Sequence, residues 1–588
     1  MFKEIIKISD EFIKIKFDES RNTNLLNKFV KFIDDKSFLI GQVSNLDGNA
    51  IDVSIIGEIK ESRFSYGTLK NPAYNAKIKL LSDEEVTVLI KGNYTDKNLY
   101  LGKSLTYENV NVTVSADNFF NGHLAIFGTT GHGKSSCVSK ILQNLLYDKK
   151  NIAYNANIFI FDVYDEYRQT FKDINNINPY INFKSYTTNL NEKRTKNNKL
   201  LQIPAWFLDV DDLALLLNVN DINQLPILEK TLKYVTIFSK DDDKSESFKT
   251  SILAQVVSDI LMSGKATIQI RDQIISILSE YNTSILNLDT KIVQPGLVRT
   301  IRQCINIDNA GKFLEVKELV SFLELQKYQN FELKLPKGEL FYTLNDIKVA
   351  LDFVLLSEGI FNNAVVYEKY NELKVRLNNI INSDISEFFT YDNYISIDNY
   401  IKNLLITEDG HKTQLIHFNI NDIDDRFANT VVKIYSKLLF NFSTGLKNRA
   451  SLAFHMFVEE AHRYVKQDND INILGYNIFE RIAKEGRKYG VILGLISQRP
   501  SELSETVLSQ CTNFLVFKLL HPKDLNFIES VIPNINIKDI KNIKSLPAGT
   551  CFMLGNLTKI PIFVKFELPK PSPKSCSTDI SKIWYLDK

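Results

Sequence analysis

Up to about residue 115 the chain alternates short apolar and β-branched runs with polar turns: Ser37–Gly41, Ile51–Ile56, Glu85–Ile90 and Val110–Val114. Evenly spaced runs of this kind predict strands closing into a small barrel. From about residue 116 the pattern changes. Compact apolar runs at His123–Phe127, Ile158–Phe161, Leu415–Ile420, Leu452–Val458 and Val491–Ser497 read as strands of a buried parallel sheet. Behind the first, Cys137, Val138, Ile141, Leu142, Leu145 and Leu146 recur at helical spacing, and Val431–Phe442 reads as a buried helix. Between 207 and about 395 the periodic segments Leu225–Phe238, Ser251–Met262, Ile270–Tyr281, Val316–Leu325, Ile347–Leu356 and Tyr367–Ile381 predict a mostly helical insertion. The polar stretch Thr187–Lys199 reads as a surface loop, and the Pro-rich Leu568–Cys576 excludes regular structure. No internal repeat stands out.

One turn in this pattern carries chemistry. Directly behind the strand His123–Phe127 comes Gly128-Thr129-Thr130-Gly131-His132-Gly133-Lys134-Ser135-Ser136, a P-loop opening a helix. Its backbone N–H groups suit the phosphates of a nucleotide, Lys134 the β/γ-phosphates, and the Ser135 hydroxyl Mg²⁺. A helix N-terminus at that point adds unpaired N–H groups and a dipole that favour an anion. The chain is thus expected to bind ATP or GTP.

Hydrolysis needs acids, and they stand far downstream. The strand Leu452–Val458 ends in Glu459-Glu460-Ala461-His462. In this position one acid holds Mg²⁺ and its neighbour polarises the attacking water; Glu459 is assigned to the metal and Glu460 to the water. The strand Val491–Ser497 runs into Gln498, a polar sensor of the γ-phosphate or the water. Ligands of an open parallel sheet bind outside the carboxyl ends of its strands, where Lys134, Glu460 and Gln498 would converge. Ile158–Phe161 ends in Asp162, followed by Asp165 and Glu166, acids that either tune the same edge or, for Asp162, cap a helix.

Five stretches together resemble the HerA family: residues 123–136; Asp-Val-Tyr-Asp-Glu-Tyr at 162–167; Val-Glu-Glu-Ala-His-Arg-Tyr-Val at 458–465; Ala-Lys-Glu-Gly-Arg-Lys-Tyr-Gly at 483–490; and Ser-Gln-Arg-Pro-Ser-Glu-Leu-Ser-Glu-Thr-Val-Leu-Ser-Gln-Cys at 497–511. The resemblance runs from about the N-terminus to Phe566 and weakens in the middle. It implies an α/β fold: a RecA-like P-loop ATPase core with an N-terminal small β-barrel and a mostly helical insertion. The implied domains are 1–115 (barrel), 116–206 (core, first part), 207–395 (insertion), 396–566 (core, second part) and 567–588 (tail). It further implies a homohexamer using ATP and Mg²⁺ to move on double-stranded DNA, with sites completed by an Arg of the neighbouring subunit. Arg487 is the first candidate for that finger and Arg481 the second. In such rings a terminal arm straps the next subunit, a role open to Trp584 and Tyr585.

The chain departs from the family in three places. Gly122 stands where relatives often carry Arg, Asp165 replaces a Gly, and Glu459 stands where many P-loop enzymes have Asp. Lys134, Ser135 and Glu460 are spared.

Composition constrains the picture without sharpening it. At 588 residues, with 44% hydrophobic and 24% charged residues, the chain is an ordinary globular protein of about three or four domains. Neither an apolar run of about 18 residues nor a basic leader is present, so no membrane partner and a cytoplasmic location are expected. Five scattered cysteines, Cys137, Cys304, Cys511, Cys551 and Cys576, have no metal-ligand spacing and suit free thiols. A net charge of +1 decides nothing about DNA, because phosphate affinity depends on local Lys and Arg.

Three functions compete at this level. The first is a motor threading duplex DNA, coupled in this family to an effector such as a nuclease or a sirtuin-like NAD-consuming enzyme, in DNA processing or antiviral defence. The second is an ATP-binding hexameric scaffold that assembles and regulates such an effector. The third, ranked last for want of an acceptor-binding lid, is a small-molecule phosphotransferase. No nuclease constellation is present, and the family analogy places the effector on the N-terminal barrel face.

Overall fold

The computed structural model describes the chain apart from residues 1, 10–11, 19–23, 35–36, 61–62, 91–96, 193, 196–197, 241, 295, 328–339, 359–363, 469, 534, 536, 575–583 and 585–588. It divides into two compact units, one formed by 1–200, 401–468 and 476–588 and the other by 201–400 and 469–475.

The first unit is built on a twelve-stranded mixed sheet. In chain order its strands are β1 (Asn98–Ser104), β2 (Asn111–Ser115), β3 (His123–Phe127), β4 (Ile158–Asp162), β5 (Phe183–Thr187), β6 (Asn198–Leu200), β7 (Leu415–Asn419), β8 (Phe454–Val458), β9 (Val491–Ser497), β10 (Cys511–Val516), β11 (Thr550–Gly555) and β12 (Ile562–Phe566). They lie in the order β6-β5-β7-β4-β8-β9-β3-β10-β11-β12-β1-β2. From β6 to β10 every pairing is parallel; from β10 to β2 every pairing is antiparallel. The residues of β3, β4, β5, β7, β8 and β9 are buried throughout, as parallel strands covered on both faces require. Three helices matter for the site: α1 (Lys134–Leu146), α2 (Asp425–Thr444) and α3 (Ile478–Tyr489).

Four expectations change here. The run Glu85–Ile90 is part of a helix, Asp83–Ile90, not a strand. Ser82 and Glu85 exchange side-chain-to-backbone bonds at its start, a capping box that outweighs the β-branched residues behind it. Val110–Val114 belongs to the core sheet through β2, not to the N-terminal module. That module is a seven-stranded antiparallel sheet, and among the described residues its terminal strands, Phe2–Ile8 and Lys77–Leu80, do not pair with each other, so a closed barrel is not formed by the described pairing. The polar stretch 187–199 is not wholly loop: Thr187 ends β5, and Asn198 and Lys199 sit in the edge strand β6.

The N-terminal sheet shares a hydrophobic core with the larger sheet, Phe29 and Ile40 clustering with Leu101, Val112 and Phe119. The Phe29 N–H donates to the Tyr107 hydroxyl at 2.6 Å, and the two rings stack.

The second unit is mainly helical. Leu225–Phe238, Asp243–Leu261, Thr267–Glu280, Val316–Gln326, Leu344–Ser357 and Ala364–Ile381 are helices, and the periodic segments read above fall within or against them. The sequence pattern does not show the two-stranded hairpin Lys291–Gln294/Leu297–Thr300. Ile237, Leu253, Ile274, Ile277 and Phe353 centre its own core.

Among the described residues no helix is long and apolar enough to cross a membrane. Cys137, Cys304, Cys511 and Cys551 are buried free thiols; Cys576 lies outside the described residues.

Candidate functional site

The central strands β4-β8-β9-β3-β10 are neighbours and parallel, so their carboxyl ends open onto one edge. At that edge β3 delivers the P-loop, β4 Asp162, β8 Glu459 and Glu460, and β9 Gln498. The distant sequence stretches become neighbours because each follows a buried strand of one register.

The P-loop is braced from several sides. Gly133 has φ 101°, and a Cβ there would stand 3.2 Å from the Gly549 Cα, so both conformation and space call for glycine. The Gly549 N–H donates to the His132 carbonyl at 3.1 Å. Thr129 Oγ1 donates to the Lys518 carbonyl at 3.2 Å and lies 2.9 Å from His132 Nδ1. Thr130 Oγ1 donates to Gln498 Oε1 at 2.8 Å, so the proposed sensor is tied to the loop. Gly131 completes the turn, and Ser136 follows Ser135 in the first turn of α1.

Lys134 is buried, and its Nζ donates to the Thr129 carbonyl at 3.3 Å. Burial lowers its pKa, opposed by the charges of Glu460, Glu459 and Glu166. An ammonium held dry beside three carboxyls is primed for a polyanion.

Ser135 Oγ donates to Glu459 Oε1 at 3.3 Å, and the Tyr167 hydroxyl reaches the same oxygen at 3.5 Å. Glu459 Oε2 is buried without a hydrogen-bond partner. Burial, then the charges of Asp162 and Glu166, push the Glu459 carboxyl well above the usual carboxylate range. A hydroxyl and an orphaned carboxylate oxygen side by side are a donor set that fits Mg²⁺ or its water shell.

Glu460 adopts a left-handed backbone, φ 47°, a conformation costly for a residue with a side chain. Its Oε2 is buried and makes no hydrogen bond; His462 Nδ1 stands 3.3 Å away but is turned to Ser497 Oγ at 3.2 Å. Burial raises the Glu460 pKa, with Lys134, Arg463 and Arg499 pulling the other way.

Asp162 is not a helix cap. Its two oxygens accept the N–H groups of Tyr164 at 3.1 Å and Tyr167 at 2.9 Å, and His417 Nε2 lies 2.9 Å from Oδ2. Burial opposes ionisation here, but the His417 and Tyr167 bonds prevail and hold the carboxyl below its usual range. The ring's other nitrogen meets Ser185 Oγ at 2.9 Å. His417 sits mid-strand in β7, where no local pattern marks it. Tyr167 stands in the stretch 162–167, but its hydroxyl role depends on the loop's fold. Asp165 has φ 56°, which explains the glycine preference at this position; Arg168 pairs with its carboxylate. At Gly122 a Cβ would stand 2.0 Å from Thr512 Oγ1, so no larger residue fits there unless Thr512 moves.

Arg487 is not brought to this edge. It is exposed in the last turn of α3, and its charge bears on His123, at the opposite end of β3. Arg481, earlier in α3, stacks over the Phe440 and Tyr476 rings. Trp584 is exposed, and Tyr585 lies outside the described residues.

Fold and site together define a P-loop nucleoside triphosphatase. The family described as "Helicase HerA, central domain" matches residues 99–439, more than half of the chain, and the chain belongs to the HerA family. It is similar to the DNA double-strand break repair helicase HerA of Sulfolobus acidocaldarius, 24% identical over 552 residues that cover 93% of this chain and 84% of that protein. The protein of the same name from Pyrococcus furiosus is 22% identical over 577 residues, covering 94% and 87%. Among solved structures, VirB4 of Thermoanaerobacter pseudethanolicus is similar at 14% identity and a TM-score of 0.43, over 81% of this chain and 98% of that one, a likeness too loose to argue from.

Proposed function

We propose that this chain is the subunit of a hexameric, ATP-hydrolysing DNA translocase that works with a partner nuclease or other effector in DNA processing or antiviral defence. The observation carrying the reading is the convergence of Lys134, Ser135, Glu459, Glu460 and Gln498 at the carboxyl ends of adjacent strands. Residues 128–136 bind the ATP phosphates, with Lys134 on the β/γ-phosphates. Glu460 orients the attacking water, and its unpartnered Oε2 is free to accept the water's proton. Its raised pKa suits a base working near neutrality. Gln498, fixed by Thr130, senses the γ-phosphate. Mg²⁺, held by Ser135 and Glu459 when bound, supplies charge neutralisation on the phosphates.

The exposure of Arg487 away from its own subunit's site supports its use by a neighbour. Rings mixed from Arg487→Ala and Lys134→Ala subunits then regain activity, because an interface can draw its intact halves from two chains. Absence of rescue in demonstrably mixed rings removes Arg487 from that role. The N-terminal sheet is the docking face for the effector, and deleting residues 1–80, which spares β1 and β2 of the larger sheet, should abolish its co-purification.

The motor is tested against the scaffold by duplex DNA. A motor's ATP turnover rises with DNA at low salt and falls steeply as salt increases, since bound phosphates release counterions. A hexamer whose turnover ignores DNA at low salt is the scaffold.

A further inference from the structure

The Pro-rich tail begins where β12 ends, and its described residues are held to α1 and to the loop beyond β4 by a continuous series of polar contacts. Glu567 is bonded by the Tyr100 hydroxyl at 3.1 Å and pairs with Lys140 of α1 at 3.2 Å. One turn further along α1, Gln143 is almost fully buried at 3% exposure, and its amide is bonded by the tail backbone beside the Tyr147 hydroxyl. The Lys570 N–H donates to Gln143 Oε1 at 2.9 Å, and Gln143 Nε2 donates to the Pro571 carbonyl at 2.9 Å. Ser572 Oγ closes the turn on the Pro569 carbonyl at 3.0 Å. The Lys574 N–H then donates to the Glu166 carbonyl at 3.0 Å.

That carbonyl belongs to the loop whose next residue, Tyr167, gives its N–H to Asp162 and its hydroxyl to Glu459 Oε1. Glu459 Oε1 therefore has two donors, Ser135 and Tyr167, while Oε2 is buried without a hydrogen-bond partner. A shift of the loop removes one of the two and frees the carboxylate to turn.

We propose that residues 567–574 clamp this loop, making the Gln143 amide and the Lys574 N–H positioning groups for the pair Ser135 and Glu459. The inference rests on the reading of that pair as the holders of Mg²⁺. No contact of the tail with the nucleotide is needed. The tail acts by fixing the backbone from which Tyr167 reaches the carboxylate, and a buried amide with no solvent substitute holds it there.

The contribution of the cation to nucleotide affinity tests this directly. Binding of a fluorescent ATP analogue is titrated in EDTA and in Mg²⁺, and the ratio of the two affinities is the magnesium gain. Lys574→Pro removes the N–H together with the side chain, whereas Lys574→Ala removes the side chain and keeps the N–H. The expected result is a gain reduced roughly three- to tenfold in Lys574→Pro, the worth of one buried hydrogen bond, and unchanged in Lys574→Ala. Gln143→Met and a chain ending at Glu567 should fall in the same direction. The proposal is overturned if Lys574→Pro and the shortened chain, both melting normally in EDTA, retain the full gain, or if Lys574→Ala loses as much as Lys574→Pro. A wild-type chain with no magnesium gain sinks instead the assignment of Ser135 and Glu459.

Discussion

His123 opens β3 and the P-loop closes it, and both ends are buried, yet they are finished in opposite ways. At the opening end, His123 Nε2 donates to the Ala483 carbonyl at 3.1 Å, and Nδ1 accepts the Leu493 N–H at 3.0 Å. Both nitrogens are used, the ring is neutral, and burial pushes its pKa down to about 4. At the closing end, Glu459 and Glu460 keep buried oxygens without partners, Lys134 is held dry, and Glu460 sits in a left-handed backbone. His123 spends both nitrogens on the fold; Glu459 and Glu460 each keep an oxygen for a ligand. Buried polarity is therefore informative only when its partners are counted.

The largest test of this contrast is chemical. Glu460→Gln should bind ATP with near wild-type affinity and lower its turnover by roughly 10²-fold or more, measured as phosphate release under saturating ATP. A variant that turns over at the wild-type rate places the base elsewhere.

Acid should strike the other end first. His123 and His455 both have pKa values lowered to about 4 by burial, below the unfolded value of 6.5. The unfolded chain then binds more protons between these values, so stability falls as pH drops from about 6.5 toward 4. Each histidine contributes a slope approaching 1.4 kcal/mol per pH unit within that window. Chemical denaturation at stepped pH reads the slope, and a flat profile through the window argues against neutral buried rings.

Removing the opening-end ring should cost stability without touching chemistry. His123→Ala leaves the Ala483 carbonyl and the Leu493 N–H unpaired, a loss of about 2 kcal/mol or more, while turnover per folded molecule stays the same. Urea midpoints and active-site-normalised rates separate the two.

The smallest effect has the opposite sign. The Glu459 pKa is raised, so its ionisation destabilises the nucleotide-free fold increasingly as pH rises above the unfolded carboxylate value near 4. Glu459→Gln should therefore stabilise that fold at pH 8 and lose the advantage toward pH 4, while its magnesium gain disappears. Equal melting of the two chains at pH 8 would show that the carboxylate is better compensated than its unpartnered oxygen suggests.

What could be read along the chain follows from how local each signal is. The run Gly128–Ser136 and the acids behind Leu452–Val458 announce themselves because strand, turn and functional residue are contiguous. The strand Val491–Ser497 and the helix Leu225–Phe238 carry unbroken periodicity and lie where that pattern sets them. β5 has no apolar run to mark it, because Phe-Lys-Ser-Tyr-Thr is half polar; it is nonetheless buried, Lys184 giving its ammonium to the Asn403 and Ile406 carbonyls. His417 was invisible because its partner Asp162 lies 255 residues away. The antiparallel half of the sheet draws strands from both ends of the chain, and no local pattern reports such a pairing. The described residues of the Pro-rich stretch, 568–574, have no regular structure, as expected, but their bonds to Gln143 depend on a helix more than 400 residues earlier.

The pairing of β12 with β1 sets Phe566 beside Gly102 and Val564 beside Ser104. On the ribosome the earlier strand emerges with one side of its backbone unmatched, and its mate follows only after some 460 further residues. At ordinary synthesis rates that delay is about half a minute to a minute and a half. Until that pairing β1 has an open edge of the kind that recruits stray strands, matched on one side only by β2. The last part of the sheet to be translated is thus what closes the first, which makes late truncation a hazard to solubility as much as to catalysis.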